Sequence, residues 1–84
     1  MYTVYVLKSL IDNKLYIGCT SDLKNRIDYH NKGKVKSTKY RRPLILKYKE
    51  EYNNLYEAYK KERYYKTAKG KQDLKNKLAL SSNG

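Results

Sequence analysis

Residues 2–20 read YTVYVLKSLIDNKLYIGCT, and this stretch carries most of the information about the fold. β-Branched and aromatic residues dominate Tyr2 to Ser9 and again Leu15 to Cys19, and an Asp-Asn pair between the two runs supplies turn chemistry. The pattern predicts two short strands joined as an antiparallel hairpin. Each strand can then present one tyrosine hydroxyl, from Tyr5 and from Tyr16, to a shared surface.

A helix that starts after the second strand would add two more functional side chains to that surface. Arg26 and His30 are four residues apart, so they lie on one face of a helix. A forked guanidinium suits phosphate oxygens, and hydroxyl or imidazole groups can relay protons. The grouping therefore indicates phosphate chemistry.

Capping residues and alternation predict the limits of this helix and a third strand. Either Thr20 or Ser21 can cap the helix, which would end near Asn31 to Gly33. Its inward residues are Leu23 and Ile27. Beyond Pro43, the pattern predicts a third strand with an inward face made of Leu44, Leu46 and Tyr48.

Two further helices are expected in the second half of the chain. Asn54, with Glu57 three residues later, can cap the first of them. Its stripe at helical spacing comprises Leu55, Ala58, Tyr59, Glu62 and Tyr65. Gly70 suggests a break before a short final helix with Leu74 and Leu78. The prediction is an α/β fold, a small three-stranded antiparallel sheet flanked by helices, with residues 1–80 as one domain and 81–84 as a flexible tail.

The charge balance points to an anionic partner. Twenty Lys and Arg against eight Asp and Glu give a formal charge of +12 in 84 residues. Such a field attracts polyanions, so nucleic acid is the leading partner, with a merely soluble surface as the alternative. The apolar runs are too short to span a bilayer, and we expect no membrane partner.

Cysteine usage and the start of the chain bear on the compartment. Cys19 is the only cysteine, which excludes an internal disulfide and, within one chain, a thiolate zinc site. We interpret it as a small apolar filler. The opening residues do not have the pattern of a secretory leader, so we expect a cytoplasmic protein.

The chain resembles the GIY-YIG nuclease family over about residues 2–78. The second triplet is complete as Tyr16-Ile17-Gly18, whereas the first appears as Thr3-Val4-Tyr5 and keeps only its tyrosine. Residues 26–30 fit the arginine helix of the family. Residues 39–44 resemble the loop before the third strand in small stand-alone bacterial members. Residues 58–62 fit the later helix that carries the metal-binding glutamate. The late asparagine of many members has Asn76 as its nearest candidate.

The resemblance implies hydrolysis of a nucleic-acid phosphodiester with one divalent cation, Mg²⁺ or Mn²⁺. Tyr5 would help activate the attacking water, and Tyr16 would position the site and share in proton transfer. Arg26 would stabilise the developing charge on the phosphoryl group. His30 would either relay a proton or orient Tyr5. Glu62 would hold the metal; considered without the resemblance, it would form an ordinary helix ion pair with Lys66.

The densest basic run lies between the first helix and the third strand. It comprises Lys34, Lys36, Lys39, Tyr40, Arg41 and Arg42, together with Lys32. Such a loop can contact phosphates while the aromatic ring stacks on an exposed base; the alternative is a solvated mobile loop. Asp28 occupies the first glycine position of a P-loop, so ATP binding is not expected.

Three classes of function remain open at this level. The first is a structure- or damage-tolerant DNA endonuclease, with RNA as a further substrate class. The second is a noncatalytic nucleic-acid-binding module that retains the nuclease fold. The third is an interaction module that recognises an acidic protein partner. Since we expect no appended DNA-binding domain, selection of the substrate would come from the compact surface or from a partner.

Overall fold

Three antiparallel strands form the sheet in a computed structural model that describes residues 1–81. The central strand β1 (Tyr2–Ser9) pairs with β2 (Leu15–Thr20) on one side and with β3 (Leu44–Tyr52) on the other. The helices are α1 (Leu23–Asn31), α2 (Leu55–Tyr65) and α3 (Ala68–Ser81), and a 3₁₀ turn (Lys39–Arg41) precedes β3. The predicted three-stranded α/β fold is confirmed.

The predicted tail overlaps the end of the last helix. Ser81 belongs to α3, and residues 82–84 lie outside the described part of the chain. Among residues 1–81, no helix has the length and apolar character needed to cross a membrane.

Successive strand residues point to opposite faces of the sheet, and helices cover both of these faces. One face presents Tyr5 and Leu7 to α1. The other buries Val4, Val6 and Ile17 against side chains of α2 and α3: Ala58, Tyr65 and Leu74. The central strand therefore has a buried core on one side and supports the candidate site on the other.

The first helix begins at a different cap from the one expected. Asp22 is the N-cap, and its carboxylate accepts a hydrogen bond from the Asn25 N–H at 3.3 Å. Thr20 supports this turn by accepting from the Asp22 N–H at 3.1 Å, and Ser21 is not the cap. A carboxylate is a strong cap because it also interacts favourably with the helix dipole.

An irregularity between β1 and β3 makes the predicted inward face of the third strand wrong. Val6 pairs with Tyr48, but the next residue, Leu7, pairs with Leu46, so Lys47 is an extra residue in β3. A bulge of this kind reverses the alternation of side chains. Leu44 consequently packs beside Tyr5, whereas Tyr48 packs on the opposite face.

The predicted apolar stripe of α2 is only partly buried. Ala58 and Tyr65 are fully buried, but Leu55 and Tyr59 are 44% and 55% exposed. The helix contacts the sheet along the side of Ala58 and Tyr65. Leu55 and Tyr59 therefore lie toward the exposed side of the helix, although they share its apolar spacing.

The predicted helix break at Gly70 is also wrong. The α2 helix ends at Tyr65, and Thr67 caps α3 by accepting from the Gly70 N–H at 3.0 Å. Gly70 lies inside α3 and is buried, and a Cβ there would overlap the Tyr64 carbonyl group. This glycine permits a close helix crossing instead of ending a helix.

Candidate active site

Tyr5 lies under the candidate site, and the strand opposite makes room for its ring. Tyr5 is 1% exposed and pairs across the ladder with Gly18. A Cβ at Gly18 would overlap the Tyr5 ring and hydroxyl. The glycine of the Tyr16-Ile17-Gly18 triplet thus has a steric role, which is to let the aromatic ring lie flat across β2.

Two residues of α1 converge on the Tyr5 hydroxyl. His30 Nε2 lies 3.1 Å from Tyr5 Oη, and Arg26 Nε donates to the same oxygen at 3.3 Å. His30 is fully buried, whereas Arg26 is half-buried. Because Arg26 uses Nε for Tyr5, its two terminal nitrogens can act as donors toward a ligand. The predicted convergence of the hairpin and α1 is confirmed.

Tyr16 completes an aromatic cluster around the histidine. Its ring centroid lies 4.9 Å from that of His30, edge to face, and 6.4 Å from that of Tyr5. Such tilted arrangements are the favoured ones for aromatic pairs. Tyr16 is half-buried, so this tyrosine, unlike Tyr5, also faces solvent.

Two groups of the cluster, Tyr5 and His30, are neutral at rest. Burial raises the pKa of Tyr5 above its ordinary value, although the hydrogen bond from Arg26 opposes that shift. Burial, assisted by the charge of Arg26, lowers the pKa of His30. At neutral pH the site therefore contains a protonated phenol next to an uncharged imidazole.

Thr38 anchors the basic segment to this cluster. Its side chain is fully buried, and its Oγ1 lies 2.8 Å from His30 Nδ1. A second anchor follows three residues later, where Ser9 Oγ donates to the Arg41 carbonyl oxygen at 2.7 Å. The segment is thus fixed to the domain at Thr38 and Arg41, and whether its exposed side chains dock nucleic acid or are merely solvated stays a prediction.

The cationic side chains of the segment differ in their exposure. Arg41 pairs with Asp12 at 3.3 Å and is only 25% exposed. Tyr40 is 84% exposed, and Lys39 Nζ lies 5.5 Å from its ring centroid. The exposed members are Lys34, Lys36, Lys39, Tyr40 and Arg42. Three of these residues line a shallow groove of about 520 Å³ together with Asn31 and Pro43.

Glu62 is the acidic residue of α2 whose charge reaches the site. It lies close enough for its charge to contribute to the raised pKa values of Tyr5 and Cys19, in both of which burial is the larger cause. Its Oε2 accepts from Lys66 Nζ at 2.7 Å, and its side chain is 14% exposed. The predicted ion pair with Lys66 is thus confirmed, whereas the metal-holding role of Glu62 stays a prediction.

The donor set suits a hydrated Mg²⁺ or Mn²⁺ better than a metal enclosed by protein. Among residues 1–81, there is no cluster of three or more His, Cys, Asp or Glu side chains that could hold an ion. Mg²⁺ keeps several waters and is commonly held by one or two carboxylates plus substrate phosphates. Glu62 fits that kind of site, because Lys66 is 52% exposed and its flexible side chain can move aside.

Cys19 and Asn76 stay outside the cluster. Cys19 packs against the core on the Val4 side of the sheet, and burial raises the pKa of its thiol. The interpretation as an apolar filler is confirmed. Asn76, the candidate for the late family asparagine, accepts from Gln72 Nε2 at 3.3 Å on the exposed side of α3.

Two contributors near the site were missed by sequence reasoning. Thr38 had no recognisable pattern, because its partner is eight residues away and only the turn after α1 brings them together. Tyr29 is 46% exposed, and its ring lies between two cations, with Arg26 Cζ at 6.0 Å and Lys34 Nζ at 5.8 Å from its centroid. The spacing of Tyr29 from Arg26 could have indicated this contact.

The sheet order, the paired tyrosines and the helix that carries Arg26 define a small α/β domain whose site combines tyrosine hydroxyls with a cation. Residues 1–77 match the GIY-YIG catalytic domain, and the chain belongs to the GIY-YIG family. It is 44% identical over 73 residues to a UPF0213 protein of Staphylococcus haemolyticus, covering 86% of this chain and 88% of that one. A UPF0213 protein of Pediococcus pentosaceus is 41% identical over 83 residues, covering 93% and 86%.

A solved structure supports the same assignment. The solution NMR structure of a UPF0213 protein from Bacillus halodurans matches with a TM-score of 0.56 and 31% sequence identity. The match covers 90% of this chain and 84% of that one. The family resemblance inferred from the sequence motifs is confirmed.

Proposed function

We propose that this chain is a metal-dependent endonuclease that hydrolyses DNA phosphodiester bonds. The single observation that carries the proposal is the convergence of Arg26 Nε and His30 Nε2 on the Tyr5 hydroxyl. This arrangement places a permanent cation and an imidazole within hydrogen-bond reach of one phenol hydroxyl. The +12 charge of the chain adds a field that concentrates nucleic acid at the surface.

Each residue of the cluster has a chemical role in this proposal. The terminal nitrogens of Arg26 bind the phosphate oxygens and stabilise the charge that develops there. Tyr5 is 1% exposed, so its hydroxyl would orient the attacking water only once substrate binding uncovers it, and its proton can pass to His30. The Tyr16 ring packs edge to face against the His30 imidazole, and its half-buried side chain faces the substrate.

The same arrangement gives Glu62 the task of holding the cation. A bound Mg²⁺ or Mn²⁺ would supply positive charge to the phosphate and lower the pKa of water. The ion pair with Lys66 uses Glu62 Oε2, so binding of a metal by that oxygen would compete with the ion pair.

The exposed basic segment is the proposed docking surface for the nucleic acid. Lys34, Lys36, Lys39 and Arg42 would contact phosphates, and Tyr40 would stack on an unpaired base. Unpaired bases occur at flaps, branches and single strands, so this surface favours DNA with a local departure from the duplex. RNA offers the same chemistry and is the second substrate class to test.

A noncatalytic binding module is the competing proposal, and one contact favours it. The Glu62 carboxylate is already paired with Lys66 at 2.7 Å, an arrangement that would block metal if it persisted with substrate bound. In that case the protein would bind DNA through the same cationic surface without cleaving it.

Cleavage by purified wild-type protein, with Mg²⁺ or Mn²⁺, of labelled linear, flapped, branched and single-stranded substrates separates the two proposals. Glu62→Gln should abolish cleavage and leave DNA binding within about twofold, because one carboxylate contributes little to the cationic field. Glu51→Gln makes the same change at an exposed residue of β3 and serves as the matched control. DNA binding without cleavage on every substrate would favour the noncatalytic module.

A further inference from the structure

The hydrogen bonds around His30 form a chain from Arg26 to the Val35 carbonyl, with a fixed donor at the Arg26 end. Arg26 Nε at one end can only donate, so it must give its hydrogen to Tyr5 Oη. The Val35 carbonyl at the other end can only accept, and Thr38 Oγ1 lies 3.5 Å from it. A fixed donor at one end and an available acceptor at the other together favour one arrangement of the hydrogens between them.

The inner hydrogens then follow by counting donors and acceptors. If the Thr38 hydroxyl donates to Val35, its oxygen accepts from His30 Nδ1–H across 2.8 Å. The Nε2 atom of the neutral ring then has a lone pair, and it accepts from the Tyr5 hydroxyl across 3.1 Å. Every hydrogen of the chain points from Arg26 toward Val35.

We infer that Thr38 is a positioning residue that fixes His30 as its Nδ1–H tautomer and thereby makes Nε2 the acceptor of the Tyr5 proton. In the step that this prepares, the Tyr5 O–H bond breaks and the proton forms a bond to Nε2, which leaves a phenolate beside Arg26 and an imidazolium beside Thr38. The part of the inference that concerns catalysis rests on the proposed nuclease function.

Burial adds an energetic reason for the Nδ1–H tautomer of His30. Thr38 and His30 are both fully buried, so a hydrogen without an acceptor in this cluster would carry a desolvation cost. The opposite tautomer would direct Nε2–H at a Tyr5 oxygen that already accepts from Arg26. The Tyr5 hydroxyl would then need a different acceptor, and Thr38 would have to donate to Nδ1 instead of Val35.

The tautomer can be measured directly, because His30 is the only histidine of the chain. Long-range ¹H–¹⁵N correlation spectra of ¹⁵N-labelled wild-type protein at neutral pH should show a protonated Nδ1 and an unprotonated Nε2. An Nε2–H tautomer in the wild type would overturn the inference. This measurement is independent of cleavage, so it decides the tautomer even if the protein proves not to be a nuclease.

Two variants of position 38 test the role of the hydroxyl. Thr38→Val keeps the shape and removes the hydrogen-bonding group, so we expect a mixture of tautomers and about a tenfold loss of cleavage rate at saturating substrate, the effect of one neutral hydrogen bond. Thr38→Ser keeps the hydroxyl and should restore both. A Val variant with the wild-type tautomer would reject the positioning role, and so would a folded Ser variant that behaves like the Val variant. If the Val variant does not fold, the wild-type and Ser spectra still decide.

Discussion

Gly18 lies directly opposite Tyr5 in the β1–β2 ladder, and the Tyr5 ring fills the space that a side chain at position 18 would need. The two halves of the tyrosine hairpin are thus linked sterically as well as by backbone hydrogen bonds. Any change that moves the Tyr5 ring also moves the hydroxyl on which Arg26 and His30 converge.

Gly18→Ala should therefore impair both stability and the site. We expect a loss of about 1–3 kcal/mol in the free energy of unfolding, the usual range for overpacking a core. Chemical denaturation measures this loss. Tyr5→Phe removes the atom nearest to the new methyl group, so the double variant should lose less stability than the sum of the two single variants. Strict additivity would mean that the ring does not meet the methyl group.

Arg26→Ala should reduce the rate of cleavage by about 10²- to 10³-fold, the range for losing one preorganised donor to a developing charge. DNA binding should weaken much less, because the other cations share the binding field. Arg26→Lys should rescue poorly, since an ammonium cannot hold Tyr5 and fork onto a phosphate at once. Single-turnover cleavage and DNA affinity, measured on the same substrate, check this. Equal losses in both would argue against a catalytic role.

Phenylalanine substitutions separate the two tyrosines. Tyr5→Phe preserves the ring and removes the hydroxyl, so we expect a folded protein that binds DNA and cleaves very little. Tyr16→Phe keeps the edge contact with the His30 ring and should retain more activity. Near-normal cleavage by Tyr5→Phe would transfer the proton role to Tyr16 or His30.

Replacing Lys34, Lys36 and Lys39 with Gln tests the basic segment. If all three contact duplex DNA, the slope of log affinity against log salt should become shallower by about 2 to 3 units, at about 0.9 per contact. Cleavage at saturating DNA should change little. The matched control removes three exposed lysines from α3: Lys69, Lys71 and Lys75. If the control flattens the slope equally, the segment has no special part in docking, and the cations of α2 become candidates.

Glu50 predicts how stability depends on pH. It accepts hydrogen bonds from Tyr48, Tyr52, Tyr65 and Lys77. Burial alone would raise the pKa of Glu50, but these four donors outweigh it and lower the pKa to about 2. Because the folded pKa lies below the ordinary value of 4.5, this stabilisation is complete above about pH 4.5 and is lost as the pH falls toward 2.

Glu50→Gln should consequently be less stable than the wild type near neutral pH, by about 1–3 kcal/mol, because Lys77 and the hydroxyl groups lose a charged acceptor. The difference between the two proteins should shrink between pH 4.5 and 2, since glutamine does not titrate. Thermal unfolding across that range measures it. A difference that does not change with pH would show that the Glu50 carboxylate is not the titrating group.

The hairpin and α1 could be predicted from the sequence because their determinants are local. Once a strand pair and a helix are assumed, the spacing of four residues is enough to predict that they meet at one site: Tyr5, Tyr16, Arg26 and His30. The bulge at Lys47 could not be predicted, since it depends on how β3 aligns with β1. The hydrogen bonds to Glu50 could not be predicted either, because two of the donors come from α2 and α3 and not from β3. Nor could the role of Gly70, because it depends on how two helices cross.

The buried hydroxyl of Thr38 limits how freely the segment from Lys34 to Arg42 can be exchanged between proteins of this fold. The segment from Lys34 to Arg42 carries the exposed cations, yet one of its own residues contacts His30 inside the domain. A transplanted segment brings its own residue at that position and so alters the imidazole environment along with the outer surface. If the proposed function is correct, substrate preference and turnover are coupled through position 38, and exchanges that retain Thr or Ser there should be the ones that remain functional.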